Sequence, residues 1–144
     1  MTHTIREVSL DEIMNINGKI PEFEEEPRLK FETKLANKNH LLIAAYIEQQ
    51  PAGYLIAYDK FGDGSIYCWM AGVIPSFRKQ GILSQLMDYQ DQWAQSKGYN
   101  KIKIKTRNNR RSMLSFLVKN DFYFTEVNAG DTIEENRISL EKKL

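Results

Sequence analysis

The spacing of apolar residues changes period repeatedly along the chain, and each change marks an element. Residues 4–8 alternate and predict a first strand. Leu10, Ile13, Met14 and Ile16 then recur at helical spacing. Ser9 stands three residues ahead of Glu12, a capping-box separation, so a helix is expected over 9–17, ended by Gly18. Residues 19–27 are acidic, carry two prolines and read as a loop. Residues 28–37 predict a second short helix that buries Leu29, Phe31 and Leu35.

Two apolar runs, 40–47 and 53–58, flank a Pro51-containing connection over 48–52 and predict a hairpin. A turn at 60–64 leads into a long apolar run, 65–74, expected as a central strand. Gly72 inside it predicts a bulge or a close approach of another backbone. Ile82, Leu83, Leu86, Tyr89 and Trp93 give a helix over 81–96, closed by Lys97 and Gly98. Residues 101–106 alternate strictly. A helix follows over 109–120, and strands over 122–127 and 133–140 pair across a turn at Ala129, Gly130 and Asp131. The order β-α-α-β-β-β-α-β-α-β-β predicts a single α+β domain over residues 1–144, a mixed sheet with helices on its faces.

Composition narrows the function classes. A chain of 144 residues with net charge +1 gives no global argument for a nucleic-acid or membrane partner. The one cysteine, Cys68, lies on an apolar strand and reads as core. His3 and His40 form no metal cluster. There is no secretion signal or membrane-length apolar run, so the expected location is cytoplasmic.

The chemistry concentrates between Val73 and Met87. A strand ends at Pro75, and the basic loop Phe77-Arg78-Lys79-Gln80 leads into Gly81 and a long amphipathic helix. The first turn of a helix has free N–H groups and the positive end of the dipole, and a glycine there removes the Cβ that would hold a phosphate away. That is an anion site. An ordinary strand-to-helix turn is the alternative.

The run resembles the cofactor motif of the GNAT superfamily of N-acetyltransferases, V-x-P-x-x-R-x-x-G-x-G/A, through Val73, Pro75, Arg78 and Gly81, with Leu83 in place of the last small residue. A second segment resembles the family's N-x-x-R-x-M-L…K-x-G-F variant through Asn108, Arg111, Met113, Leu114, Lys119 and Phe122, with Asp121 replacing glycine. The resemblance implies a mostly antiparallel central sheet with helices on both faces. It also implies transfer of an acetyl group from acetyl-coenzyme A, as co-substrate, to the amine of a small molecule or peptide. By the same resemblance Ala71, Gly72 and Val73 would contact the pantetheine arm. Arg78 and the amides of Lys79, Gln80, Gly81, Ile82, Leu83 and Ser84 would hold the pyrophosphate, and Asn108 would stand on the opposite wall.

Many relatives protonate the leaving sulfur with a tyrosine. Leu117 occupies that position here, beside Phe116, and Tyr123 is the nearest substitute. The strand over 65–74 holds no Asp, Glu or His to serve as a base. Glu22, Glu24, Glu25 and Glu26 fall where the family builds its acceptor site and would bind a cationic amine. A non-catalytic acyl-coenzyme A binding module is the rival. A nucleic-acid reading of the basic run 101–111 is a weaker one. Monomer and homodimer are both compatible with the sequence.

Overall fold

The computed structural model describes residues 2–144. Its elements are β1 (His3–Glu7), α1 (Leu10–Asn17), α2 (Arg28–Leu35), β2 (His40–Ile47), β3 (Gln50–Tyr58), β4 (Ser65–Val73), α3 (Ile82–Ser96), β5 (Lys101–Arg107), α4 (Arg111–Lys119), β6 (Tyr123–Asn128) and β7 (Arg137–Lys143). The strands form one sheet in the order β1-β2-β3-β4-β5-β7-β6. All pairings are antiparallel except β4 with β5. The α+β fold is the expected one.

The period-two alternation sorts side chains into two cores. Ile43, Leu55, Ile66, Cys68, Ile102, Ile104 and Leu140 face α3 and α4, where Leu86, Leu114 and Leu117 meet them. Ala44, Tyr54, Ile56 and Tyr58 face the other way, onto Ile13 and Ile16 of α1 and Phe31 of α2. Leu29, expected in the core, is exposed.

Ser9 caps α1 by accepting the Glu12 amide at 3.3 Å, a contact that stabilises a helix by about 1 kcal/mol. The capping box is only half made. The Glu12 carboxylate accepts instead from Tyr46 and Asn15.

Two boundaries and the place of one bulge differ from expectation. The hairpin turn is two residues long, because Glu48 and Gln49 both take positive φ (50° and 67°) without a glycine, so Pro51 lies inside β3. The last strand starts at Arg137 rather than 133. Residues 133–135 form a 3₁₀ turn, tightened where Asn136 Oδ1 accepts the Gly130 amide and Asn108 Nδ2 donates to the Ile133 carbonyl. The bulge in β4 is at Trp69, which has no partner between Met70↔Ile56 and Cys68↔Ala57. At Gly72 the close approach is by a ring: a Cβ there would meet Phe23 at 2.5 Å.

Asp121 occupies the position after the α4 C-cap with φ 69°, the left-handed conformation that costs an L-residue roughly 1–2 kcal/mol. It also puts a negative charge just past the C-terminus of α4, beside the negative end of the helix dipole. Asp121→Gly is therefore expected to stabilise the protein by about 1 kcal/mol. A raised urea midpoint at unchanged m-value would show it, and an unchanged or lowered midpoint would refute it.

Candidate functional site

The feature that organises the site is a divergence. β4 and β5 pair from Ser65↔Lys101 to Cys68↔Ile104 and then separate, although β4 runs on to Val73 and β5 to Arg107. Beyond Cys68, the edge of β4 that faces β5 has no strand partner. Ala71, Gly72 and Val73 line one wall of this gap. Asn108, just past β5, stands on the other, with both polar atoms of its side chain engaged by Ile133 and Arg111.

At the open end of the gap β4 passes through one 3₁₀ turn, Pro75–Phe77, into the start of α3. Lys79 and Gly81 both take left-handed φ (64° and 79°), which turns successive amides toward the same side. The first α3 bond is from Gln85 N–H to the Gly81 carbonyl, and no side chain caps the helix. Among the described residues, the N–H groups of residues 79–84 have no protein acceptor. A Cβ on Gly81 would meet nothing within 4 Å. Six amides without protein acceptors at a helix N-terminus, with open space at Gly81, fit a pyrophosphate. Leu83 does not obstruct them, since its side chain packs against the α3-side core.

Arg78 is committed to bracing this loop. Its Nε donates to the Val73 carbonyl at 3.0 Å, and its guanidinium pairs with Glu22 at 2.5 Å. The Glu22 carbonyl also accepts from Arg110 at 3.2 Å, at the foot of α4. The acidic loop is further fastened by Asn17, which donates to the Glu24 carbonyl and accepts from the buried Tyr54 hydroxyl. With Phe23 seated on Gly72, the loop bridges the two walls of the gap on the α1–α2 face. Of the four acids, Glu22 is paired with Arg78 and Glu26 with Lys30, while Glu24 and Glu25 have no salt bridge among the described residues.

Tyr123 is not brought to the gap. It is 74% exposed on β6, the outer edge strand. In register it sits beside Glu141 of β7, which in turn sits beside Lys103 of β5, two strand spacings (about 10 Å) away. Tyr67, on β4 at the base of the gap, is half-buried, and burial pushes its phenol up to about 12. Burial pushes the Cys68 thiol far up, which removes it as a nucleophile and leaves it as core. Among the described residues no cluster of His, Cys, Asp and Glu has metal-binding geometry.

No curated protein matches the sequence. Among solved structures, the chain is similar to the ribosomal-protein-S18-alanine N-acetyltransferase of Escherichia coli at 13% identity and a TM-score of 0.84, over 99% of this chain and 94% of that one. It is similar to Ard1 from Thermoplasma volcanium at 16% identity and a TM-score of 0.82, over 100% and 99%. It also resembles a GNAT family acetyltransferase from Elizabethkingia anophelis, solved with acetyl-CoA bound, at 19% and 0.76, over 99% and 98%. At these identities the likeness shows the fold. Family membership rests on the sequence itself: the family model for the Acetyltransferase (GNAT) family matches residues 9–122, and this chain belongs to that family of amine-directed acetyltransferases.

Proposed function

We propose that this protein acetylates an amine by holding acetyl-coenzyme A in the β4–β5 gap, with the acceptor entering from the α1–α2 face. The observation that carries this is the gap itself, opening directly onto the free amides of residues 79–84. Those amides would hold the pyrophosphate and the backbone of Ala71, Gly72 and Val73 the pantetheine arm. Bound there, acetyl-coenzyme A supplies a thioester whose acetyl carbon is open to attack.

The chain's own contribution is mainly positional. Alignment of amine and thioester removes much of the barrier without a dedicated acid or base. The bulge at Trp69 takes its peptide out of the β3 ladder, next to where the strands part. A leaving thiolate has a proton affinity near that of a free thiol, with a pKa of about 8.5, so water can protonate it at neutral pH. That removes the need for a tyrosine at Leu117, which is buried in the core.

The test is an amine panel (polyamines, aminoglycosides, amino acids, peptide N-termini) read by thiol release. Coenzyme A binding with no release across all of them would overturn the proposal. Within the same assay, Tyr123→Phe is expected to keep kcat within about a factor of two, against the roughly 10²–10⁴ loss of a true proton donor. A large fall in kcat would restore Tyr123 to the mechanism.

A further inference from the structure

On the α1–α2 face, the base of the gap has an aromatic floor and a group of cations without ion-pair partners among the described residues. Trp69 lies against Phe31 (centroids 5.3 Å apart) and Tyr58 (5.8 Å), and Tyr67 against Tyr58 and Phe61. Lys34 Nζ stands 5.8 Å from the Trp69 centroid and Lys60 Nζ 4.5 Å from that of Tyr67. Lys60 is held below the ordinary lysine range, first by burial and then by repulsion from Lys34, Lys105 and Lys38. Arg137 of β7 also acts on the Tyr67 phenol.

Among the described residues, none of Lys34, Lys38, Lys60, Lys105 and Arg137 has a carboxylate within 4.0 Å; the ion pairs all involve other Lys and Arg residues. Of the acids at the same end of the sheet, Asp63 is neutralised by a lysine, while Asp59 borders the same hollow as Lys38 and Lys60 and offsets one of the five cations. Asp63 holds Lys103 and Ser65, and Asp59 holds Tyr99 and the Gly62 amide. The residues come from α2, the α2–β2 turn, the β3–β4 turn, β5 and β7, so the convergence is a product of the fold. Cations close enough to depress one another's proton affinity oppose their own clustering, and an anion between them relieves that repulsion.

We propose that the acetyl acceptor is itself anionic, an amine whose molecule carries a carboxylate or phosphate seated between Lys34, Lys60 and Lys105 over Tyr67 and Trp69. This rests on the acetyl-transfer function above. The cofactor's pyrophosphate does not account for the cluster, because the amides that fit it belong to α3, on the opposite face of the sheet. The cations left over once the anion is seated make a dedicated base on β4 less necessary. Cationic surroundings lower the proton affinity of an ammonium group. The acceptor loses one proton to water, and its lone pair forms the C–N bond as the C–S bond breaks. Its second proton passes to the departing sulfur. Ammonium and thioester thus give amide, thiol and one released proton.

The test separates charge from turnover. Trp93→Phe leaves Trp69 as the sole indole of the two. With coenzyme A bound, iodide is expected to quench Trp69 several-fold more than caesium. Added Lys34→Gln and Lys60→Gln should bring the two together, and inorganic phosphate at fixed ionic strength should protect Trp69 from iodide. Equal quenching in the parent, or no effect of phosphate, overturns the proposal. The kinetic arm pairs an amino acid with its carboxamide, and a hexosamine phosphate with the free hexosamine. The charged member should show a kcat/KM larger by about tenfold or more, an advantage lost in the double variant. A neutral member acetylated as well as its charged partner overturns the proposal. Coenzyme A binding with no acetylation of any member overturns the transfer function instead, and the quenching alone then decides the anion site: iodide preference keeps it and equality removes it.

Discussion

Gly81→Glu is expected to abolish acetyl-coenzyme A binding while the protein stays folded. Gly81 has φ 79°, so any side chain there costs roughly 1–2 kcal/mol of backbone strain, but a Cβ meets no atom within 4 Å and forces no repacking. A glutamate at that position would place its carboxylate among the unpartnered amides of residues 79–84, where it competes for the donors and repels a pyrophosphate. Gly81→Ala carries the same backbone strain without the charge and isolates the two effects. In the parent, cofactor at about a hundred times its Kd should stabilise the fold by about 2.7 kcal/mol. The alanine variant should keep most of that gain and the glutamate variant none. Equal stabilisation of parent and Gly81→Glu would mean that the phosphates lie elsewhere.

The strand–loop–helix geometry at Gly81 was legible in the sequence because its parts are local. A strand that must end at Pro75, a glycine that admits positive φ and a helix whose first amides are free all lie within one short run, so the spacing predicts the turn, and the family resemblance is what adds a pyrophosphate to it. The element order was legible for a similar reason, since each face of each strand and helix answers to one of two cores. What escaped was conformation set from a distance. Glu48 and Gln49 adopt the left-handed turn usually assigned to Asn-Gly because the β2–β3 register demands it, and nothing in those two side chains signals it. Gly72 was expected to mark a bulge or a close approach of another backbone; the bulge falls instead at Trp69, where the ring reaches Phe31 and Tyr58, and what approaches Gly72 is the Phe23 ring.

Charge was the least legible property. Glu22, Glu24, Glu25 and Glu26 read as an acidic patch for a cationic amine, but Glu22 is paired with Arg78, fifty-six residues away in sequence. The cations that remain unpaired come from five separate segments, and no window of the sequence contains them together. Electrostatic character at such a site follows from which charges are left over after folding, and that is a tertiary fact.

Gly53→Ala is expected to damage stability and cofactor binding together, although Gly53 touches neither wall of the gap through a side chain. It lies on β3 opposite Val73, and a Cβ there would stand 2.6 Å from the Gly72 carbonyl oxygen, 3.3 Å from the Val73 Cα and 3.3 Å from Ile82 Cγ2. The nearest of these is backbone, so no rotamer change relieves the contact. β4 must move instead, and the residues that move, Gly72 and Val73, form one wall of the gap, while Ile82 begins α3. Overpacking of this kind costs about 1–3 kcal/mol. The displaced carbonyl would also shift the backbone that faces the pantetheine arm, where small misplacements are costly, so affinity for acetyl-coenzyme A should fall by about tenfold or more. Gly18→Ala provides the contrast. Gly18 has ordinary right-handed φ of −64° and its nearest contact would be 3.6 Å away, so alanine there should stabilise by roughly 0.4–1 kcal/mol through the unfolded chain. Urea melts and acetyl-coenzyme A titrations of both variants decide the matter. A Gly53→Ala protein as stable as the parent, with unchanged affinity, would show that β4 can yield without disturbing the gap.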